Sequence, residues 1–167
     1  MVKRDETLEE QEYKARAAAL RLLARREHSR LELTLKLRQR KIESPLIDQV
    51  LDEFEAEDWL SDQRFAESYA RQRIETGYGP LRIQAELQQR GIHHSPGTLM
   101  AVTDAQWAAS ATRLRARRFG LGQLDSDLKE KARQARFLGA RGFAHQHIDH
   151  ALSARVLPDD TGADSIE

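Results

Sequence analysis

The sequence contains no cysteine, only ten aromatic residues (two Trp, three Tyr, five Phe), four prolines, and no excess of either charge, with 27 Lys and Arg against 27 Asp and Glu in 167 residues. The lack of cysteine excludes a disulfide framework, a thiolate metal site and a cysteine nucleophile, and suits a reducing compartment. No apolar run approaches the roughly 20 residues of a membrane span, and Met1 to Gln11 is too acidic and polar for a signal or transit peptide. The expectation is a cytoplasmic protein without a membrane partner. Charged residues make up 32% of the chain, above the usual share of about 25%. The apolar material is therefore too thin for one thick core, and an elongated molecule is expected.

Zero net charge conceals an uneven layout. Nine basic and two acidic residues lie between Arg16 and Lys41, eight acidic and no basic ones between Glu43 and Asp62, and basic character returns from Arg64 to Arg118. Twenty-one of the 27 cations are Arg, whose planar fork suits bidentate contact with carboxylate or phosphate. Part of this charge is answered locally: Arg71 has Glu67 and Glu75 four residues to either side, and Glu32 precedes Lys36 by four.

Periodicity is helical throughout. Leu46, Ile47, Val50, Leu51 and Phe54 form one apolar stripe, with Asp48, Asp52 and Glu55 opposite. Ser44 is a candidate cap for this helix and Pro45 fits its first position. The Ser-Pro pair recurs at Ser95-Pro96, and the same interval relates Leu37, Leu87 and Leu138, then Lys41-Ile42, Gly91-Ile92 and Gly142-Phe143. The register is about 50 residues, present three times. Ser29 with Glu32 reads as a capping box, and Gly79-Pro80 as a loop opening a helix. Three helices per unit are predicted, over 10–27, 30–40 and 45–56, then 62–76, 80–90 and 96–104, then 105–119, 126–139 and 145–154. Such short helices require neighbours for stability, which stacked repeats supply. The fold class expected is all-α, an elongated, curved array of three tandem three-helix repeats over 10–57, 58–104 and 105–156, flanked by a flexible N-terminus (1–9) and a flexible acidic tail (157–167).

No convergent reactive set is legible. His145 and His147 do not share a helix face, and no carboxylate set completes a metal site with His147 and His150, so no metal is expected. His93-His94 reads as a segment leading into a helix, and the Asp48, Asp52, Glu55 stripe as a solvated face. Gly77-Tyr78-Gly79-Pro80 and Gly120-Leu121-Gly122 lack the Lys-Ser/Thr ending of a phosphate loop. The expectation is a non-enzyme without cofactor. What remains is charge in stripes: Lys14, Arg21 and Arg25 on one helix, Lys129, Arg133 and Arg136 on another, and Arg113, Arg115, Arg117 and Arg118 crowded on a third. Such crowding suits an anionic surface, either nucleic acid or an acidic protein face. Few aromatics interleave with the basic runs, which argues against a base-stacking single-strand binder.

The segment from Trp59 to Ile92, WLSDQRFAESYARQRIETGYGPLRIQAELQQRGI, resembles the central signature of the RecX family of bacterial regulatory proteins. ALRLLARREHSRLELTLKLRQRKI resembles the opening motif, and ARRFG followed after a loop by KARQARFLGARGF resembles the closing one. Lys41 departs from the pattern, standing where Gly is common. The resemblance implies a regulator that binds the RecA recombinase and its filament on DNA; a monomer is expected. It would lie in the filament groove across neighbouring protomers and inhibit recombinase and ATPase activity, with roles in homologous recombination, DNA repair and the SOS response. Some direct DNA contact is also implied, and a DNA-binding module competing with recombinase for strands is the alternative. Phe65, Tyr69, Leu81, Ile83, Leu87 and Ile92 are expected in the core, Asp62 at a helix start and Gly79-Pro80 in a turn. The expected partner contacts are Arg71, Arg73, Arg82, Arg90, Arg113, Arg115, Arg117 and Arg118.

Overall fold

The computed structural model describes residues 7–159, and among these every regular element is helical. The helices are α1 (Leu8–Leu23), α2 (Arg30–Gln39), α3 (Ser44–Ala56), α4 (Asp62–Glu75), α5 (Pro80–Gln89), α6 (Gly97–Met100), α7 (Asp104–Phe119), α8 (Leu128–Ala140) and α9 (His145–Ser153). The terminal segments expected to be flexible lie largely outside the described residues.

Local chemistry sets most helix starts. Thr7, Ser29 and Thr103 each accept from the backbone N–H three residues on, while Glu10, Glu32 and Gln106 reach back to the cap, giving three capping boxes. The Thr7 box starts α1 at Leu8, earlier than position 10. The helix ends at Leu23 rather than 27, because Ser29 must be extended (φ −75°, ψ 157°) to cap α2. Ser44 does not cap α3: Glu43 holds the cap position without a side-chain hydrogen bond, and Pro45 occupies the first turn. The segment predicted as a helix over 96–104 keeps one turn, since Thr103 is drawn off to cap α7.

The approximately 50-residue register reappears in the backbone. Lys41, Gly91 and Gly142 all have positive φ (62°, 81° and 94°). At each site the left-handed residue donates to the carbonyl three back and its successor to the carbonyl five back, as in Ile92 N to Leu87 O at 2.9 Å and Phe143 N to Leu138 O at 3.3 Å. This is the Schellman ending, in which the second helix of each repeat is closed by an apolar residue folding back on the recurring register position of Leu37, Leu87 or Leu138. Lys41 adopts the same turn without glycine's freedom.

The described residues divide into two compact units, one comprising 7–69 with 87–96, the other 70–86 with 97–159. In the first, α1, α2 and α3 pack on one another. Their core is Ala15, Ala19, Leu33, Leu37 and the whole α3 stripe of Leu46, Ile47, Val50, Leu51 and Phe54. Each large member contributes about 1.5–3 kcal/mol by leaving water. Asp62 begins α4 as expected, yet its carboxylate accepts from the Arg30 backbone N–H at 2.7 Å and so serves the start of α2, while Ser61 Oγ accepts from Arg64 N. Phe65, Leu87 and Ile92 are buried, and Tyr69 is half-buried.

In the second unit, α7, α8 and α9 pack together around Trp107, Ala111, Leu114, Leu138, Phe143 and Leu152. Trp107 meets Phe143 edge to face at 6.4 Å. Ile83 is fully buried, but Leu81 is 55% exposed, two residues away and thus on the other side of α5. Gly79 N donates to Arg141 O (2.8 Å) and Leu81 N to Gly142 O (3.0 Å), so carbonyls of the α8–α9 turn satisfy free amides at the start of α5. A Cβ on Gly79 would strike the backbone of Gly142, and one on Gly142 the backbone of Arg82. The expected turn at Gly79-Pro80 is there, with close backbone approach as the reason for its glycine.

Candidate functional site

The arginines expected to contact a partner fall into distinct environments. Arg71, Arg117 and Arg118 are exposed, while Arg73, Arg82, Arg90 and Arg113 are half-buried. Arg115 is fully buried. Its Nε donates to Gln134 Oε1 (2.8 Å), its Nη1 to Ala151 O and Ala154 O (both 3.0 Å) and its Nη2 to Gly122 O (2.7 Å). One guanidinium thereby ties α7 to α8, to the end of α9 and to the loop after α7. Burial lowers its pKa, and the charge of Arg155 adds to that effect. Arg115 is a structural crosslink and cannot meet a partner, which corrects the sequence expectation. The signal was present: Ala108, Ala111, Thr112 and Arg115 follow the helical core spacing, and all four are buried.

Arg73 and Arg82 converge on one carboxylate and one ring. Arg73 holds Glu86 in a bidentate pair (2.7 and 2.6 Å), and Arg82 Nε reaches the same carboxylate at 3.0 Å. Both guanidiniums lie over Tyr78, at 4.0 and 4.6 Å from its centroid, joined by Arg141 at 5.1 Å. Arg141 also lies 5.4 Å from the Phe137 ring, over which Arg118 sits at 5.6 Å. Phe137 meets Phe119 edge to face at 5.3 Å, and Arg133 stacks on Phe119 at 5.1 Å. Arg133 is in turn paired with Glu130, holding that carboxyl below its usual range. The second unit thus carries a continuous arginine and aromatic surface drawn from the α4–α5 turn and the facing ends of α7 and α8. Tyr78, Phe119, Phe137 and Arg141 were not among the expected contacts; Tyr78 and Phe137 are 59 residues apart, so linear inspection for interleaved aromatics misses them.

In the first unit much charge is internally matched. Arg30, whose cation is stabilised by Asp52 (2.7 Å) and Glu55 (3.1 Å) despite the opposing effect of burial, answers the α3 carboxylates that the sequence suggested were merely solvated. Arg16 pairs with Glu12 and Glu53, and Arg64 with Glu27 and Asp58. Glu32 turns to Arg26 at 3.1 Å and Arg90 at 3.6 Å, while Lys36 Nζ meets His28 Nε2 at 3.2 Å, so the expected Glu32–Lys36 pair gives way to tertiary partners. Arg90 also covers the Tyr69 ring at 4.7 Å.

The histidines are dispersed. His147 is buried, accepts from Ala144 N at 3.2 Å and meets Asp104 at 2.8 Å, linking α9 to α7; His145 is an exposed partner of Asp149. Among the described residues no group of three or more His, Cys, Asp or Glu is arranged to hold a metal ion, and no helix is long and apolar enough to cross a membrane.

Comparison with known proteins places this architecture. Residues 15–54, 61–95 and 104–152 match the family descriptions RecX first, second and third three-helix domain, respectively. A regulatory protein RecX of Pseudomonas fluorescens is 43% identical over 145 residues, 86% of this chain and 93% of that protein. One of Halorhodospira halophila is 43% identical over 150 residues, 88% and 91% of the two chains. The crystal structure of RecX from Lactobacillus salivarius superposes with a TM-score of 0.71 at 26% identity, covering 87% of this chain and 96% of that one. With three tandem three-helix domains matched in order and identity sustained along nearly the full length of its relatives, the chain belongs to the RecX family of regulatory proteins.

Proposed function

We propose that the protein regulates the RecA recombinase, binding the RecA filament on DNA and inhibiting recombinase and ATPase activity. It acts in the cytoplasm as a monomer seated in the filament groove across neighbouring protomers. The observation that carries this reading is membership of the RecX family over all three domains. The chemistry fits. Repeats bearing exposed ionic groups can touch a polymer at several weak sites, and their covalent linkage supplies avidity without one large apolar interface. Complementary charge speeds encounter and fixes register. Of the arginines singled out from sequence, Arg71, Arg73, Arg82, Arg90, Arg113, Arg117 and Arg118 retain surface and remain the proposed contacts; Arg115 does not.

The test is inhibition of RecA ATPase on single-stranded DNA by the wild-type chain and by a variant carrying Arg117→Ala and Arg118→Ala, with Arg115 intact. A shift of the inhibitory concentration by on the order of tenfold is expected, as for loss of two charged contacts. Full inhibition by the folded variant removes the end of α7 from the interface. A wild-type chain that leaves RecA unaffected refutes the function.

A further inference from the structure

We infer that Lys36 is a modification site, at which the ε-amine, with His28 as its base, takes an acyl group from a small acyl phosphate. This concerns the chain and a small molecule alone, and stands whether or not the recombinase reading holds. Lys36 lies in α2 and His28 directly before the Ser29 cap, and Lys36 Nζ meets His28 Nε2 at 3.2 Å. An ammonium has only hydrogens to give, so Nε2 is the acceptor and the ring proton sits on Nδ1, which donates to Arg26 O at 3.0 Å. Nucleophile, base and the carbonyl that orients the base are thus held together, the arrangement that activates a weak nucleophile. The ring is 2% exposed whereas Lys36 is half-buried, so an acyl donor can reach the amine but not its base. Burial, aided by the charges of Arg26 and Lys36 and opposed by the Arg26 carbonyl and Glu32, lowers the pKa of the ring and keeps it neutral at pH 7. Arg40, exposed and one turn on from Lys36, donates to Lys36 O at 3.3 Å, and Arg26 is exposed as well. Two guanidiniums beside this corner suit the phosphate of the donor. In the step itself His28 Nε2 takes one proton from the Lys36 ammonium. The freed lone pair forms the C–N bond at the acyl carbon, and the C–O bond to phosphate breaks with its electron pair on the leaving oxygen. A second proton from the nitrogen goes to that phosphate, and the imidazolium passes its own to solvent. The amide N–H of the product can still donate to Nε2, so the α1–α2 corner keeps its bond while the surface loses one cation.

The experiment incubates the full chain with acetyl phosphate at about pH 8 and follows acetylation of each lysine by peptide mass spectrometry. Lys14, Lys41, Lys129 and Lys131 are all exposed and serve as references within the same molecule. Access alone would make half-buried Lys36 the slowest. It is expected instead to react about tenfold faster than their mean, less than the roughly hundredfold a well-matched base supplies, because burial weakens this one. Denaturation in urea should bring the five rates together within about twofold. His28→Gln, whose amide oxygen can accept the Lys36 hydrogen bond but cannot take its proton, is expected to bring Lys36 down to the reference rates while circular dichroism shows the chain folded. Arg40→Gln, at an exposed position that leaves the core untouched, is expected to slow Lys36 about threefold with acetyl phosphate and to leave its rate with p-nitrophenyl acetate, an uncharged donor, unchanged. That comparison decides the matter even if the His28 variant does not fold. The inference is overturned if folded wild type acetylates Lys36 no faster than the reference lysines, if folded His28→Gln keeps the advantage, if Arg40→Gln slows both donors alike or neither, or if acetyl-coenzyme A gives Lys36 a greater advantage than acetyl phosphate does.

Discussion

Replacing Arg115 with Met should reveal how much of the second unit rests on a buried cation whose hydrogen bonds, among the described residues, go to neutral oxygens. Four oxygens accept from this guanidinium: Gln134 Oε1, Ala151 O, Ala154 O and Gly122 O. The bonds to Gln134 and Ala151 are buried, while those to Ala154 and Gly122 are part-buried and open to substitution by water. Orphaning the two buried acceptors costs about 1–3 kcal/mol each. Relief of guanidinium desolvation and the apolar body of Met return part of that, leaving a net loss of about 2–4 kcal/mol. For a chain of this length that corresponds to a fall in Tm of roughly 5–15 °C. Thermal unfolding followed by circular dichroism at the helical minimum measures it. Arg115→Lys should lose nearly as much, because a compact ammonium cannot span acceptors on three elements. Arg117→Ala with Arg118→Ala should stay within about 0.5 kcal/mol of wild type, as exposed substitutions do. An Arg115→Met protein as stable as wild type, or an Arg117/Arg118 variant equally destabilised, would refute this account. The contrast also matters in practice: changing Arg115 along with its neighbours would destabilise the unit, and that loss would pass for loss of a contact.

Three further outcomes follow from the backbone and from one histidine. Lys41→Gly should stabilise the first unit by about 0.5–1 kcal/mol in urea titration, because Lys41 holds a left-handed φ of 62° that glycine adopts freely, less the extra entropy glycine loses. Gly142→Ala should destabilise the second unit by about 2–4 kcal/mol, combining a φ of 94° with a collision against Arg82 backbone; a change below about 1 kcal/mol would show that the α5–α8 approach can relax. Burial lowers the pKa of His28 from 6.5, and its contacts with Arg26 and Lys36 are those of a neutral ring. Below pH 6.5 the unfolded chain takes up this proton before the folded one, so stability declines on acidification until the depressed folded pKa is passed. In urea midpoints compared between pH 7.5 and pH 5, His28→Gln should show a smaller loss than wild type, and an equal loss would remove His28 as a cause.

How much of this molecule could be read from its residues depends on how far apart the interacting groups stand in the chain. The capping box of Ser29 and Glu32, the α3 stripe from Leu46 to Phe54 and the recurrence of Leu37, Leu87 and Leu138 were legible because each rests on helical period or on bonds within one turn. The recurrence of Lys41-Ile42, Gly91-Ile92 and Gly142-Phe143 belongs with them, although the Schellman ending it marks, closed by residues five apart, came from the structure. Asp62 marks the limit: its place at a helix start was local and correct, while the amide it serves, that of Arg30, lies 32 residues away.

Side-chain fate was decided by the tertiary structure. Arg113, Arg115, Arg117 and Arg118 are chemically alike and nearly adjacent, yet packing of α7 against α8 and α9 buries Arg115 alone, because its angular position falls between those of Ala108 and Ala111, while Arg113 and Arg117 lie off that stripe and Arg118 stands in the last turn. Likewise the sequence disperses Tyr78, Phe119 and Phe137 among separate segments, and folding gathers them beneath one set of guanidiniums. Helix formation is written in near neighbours through hydrogen bonds and periodicity. Which cation is desolvated and which ring it covers depends on the few ångströms between elements, and those distances are fixed only when the apolar faces have packed.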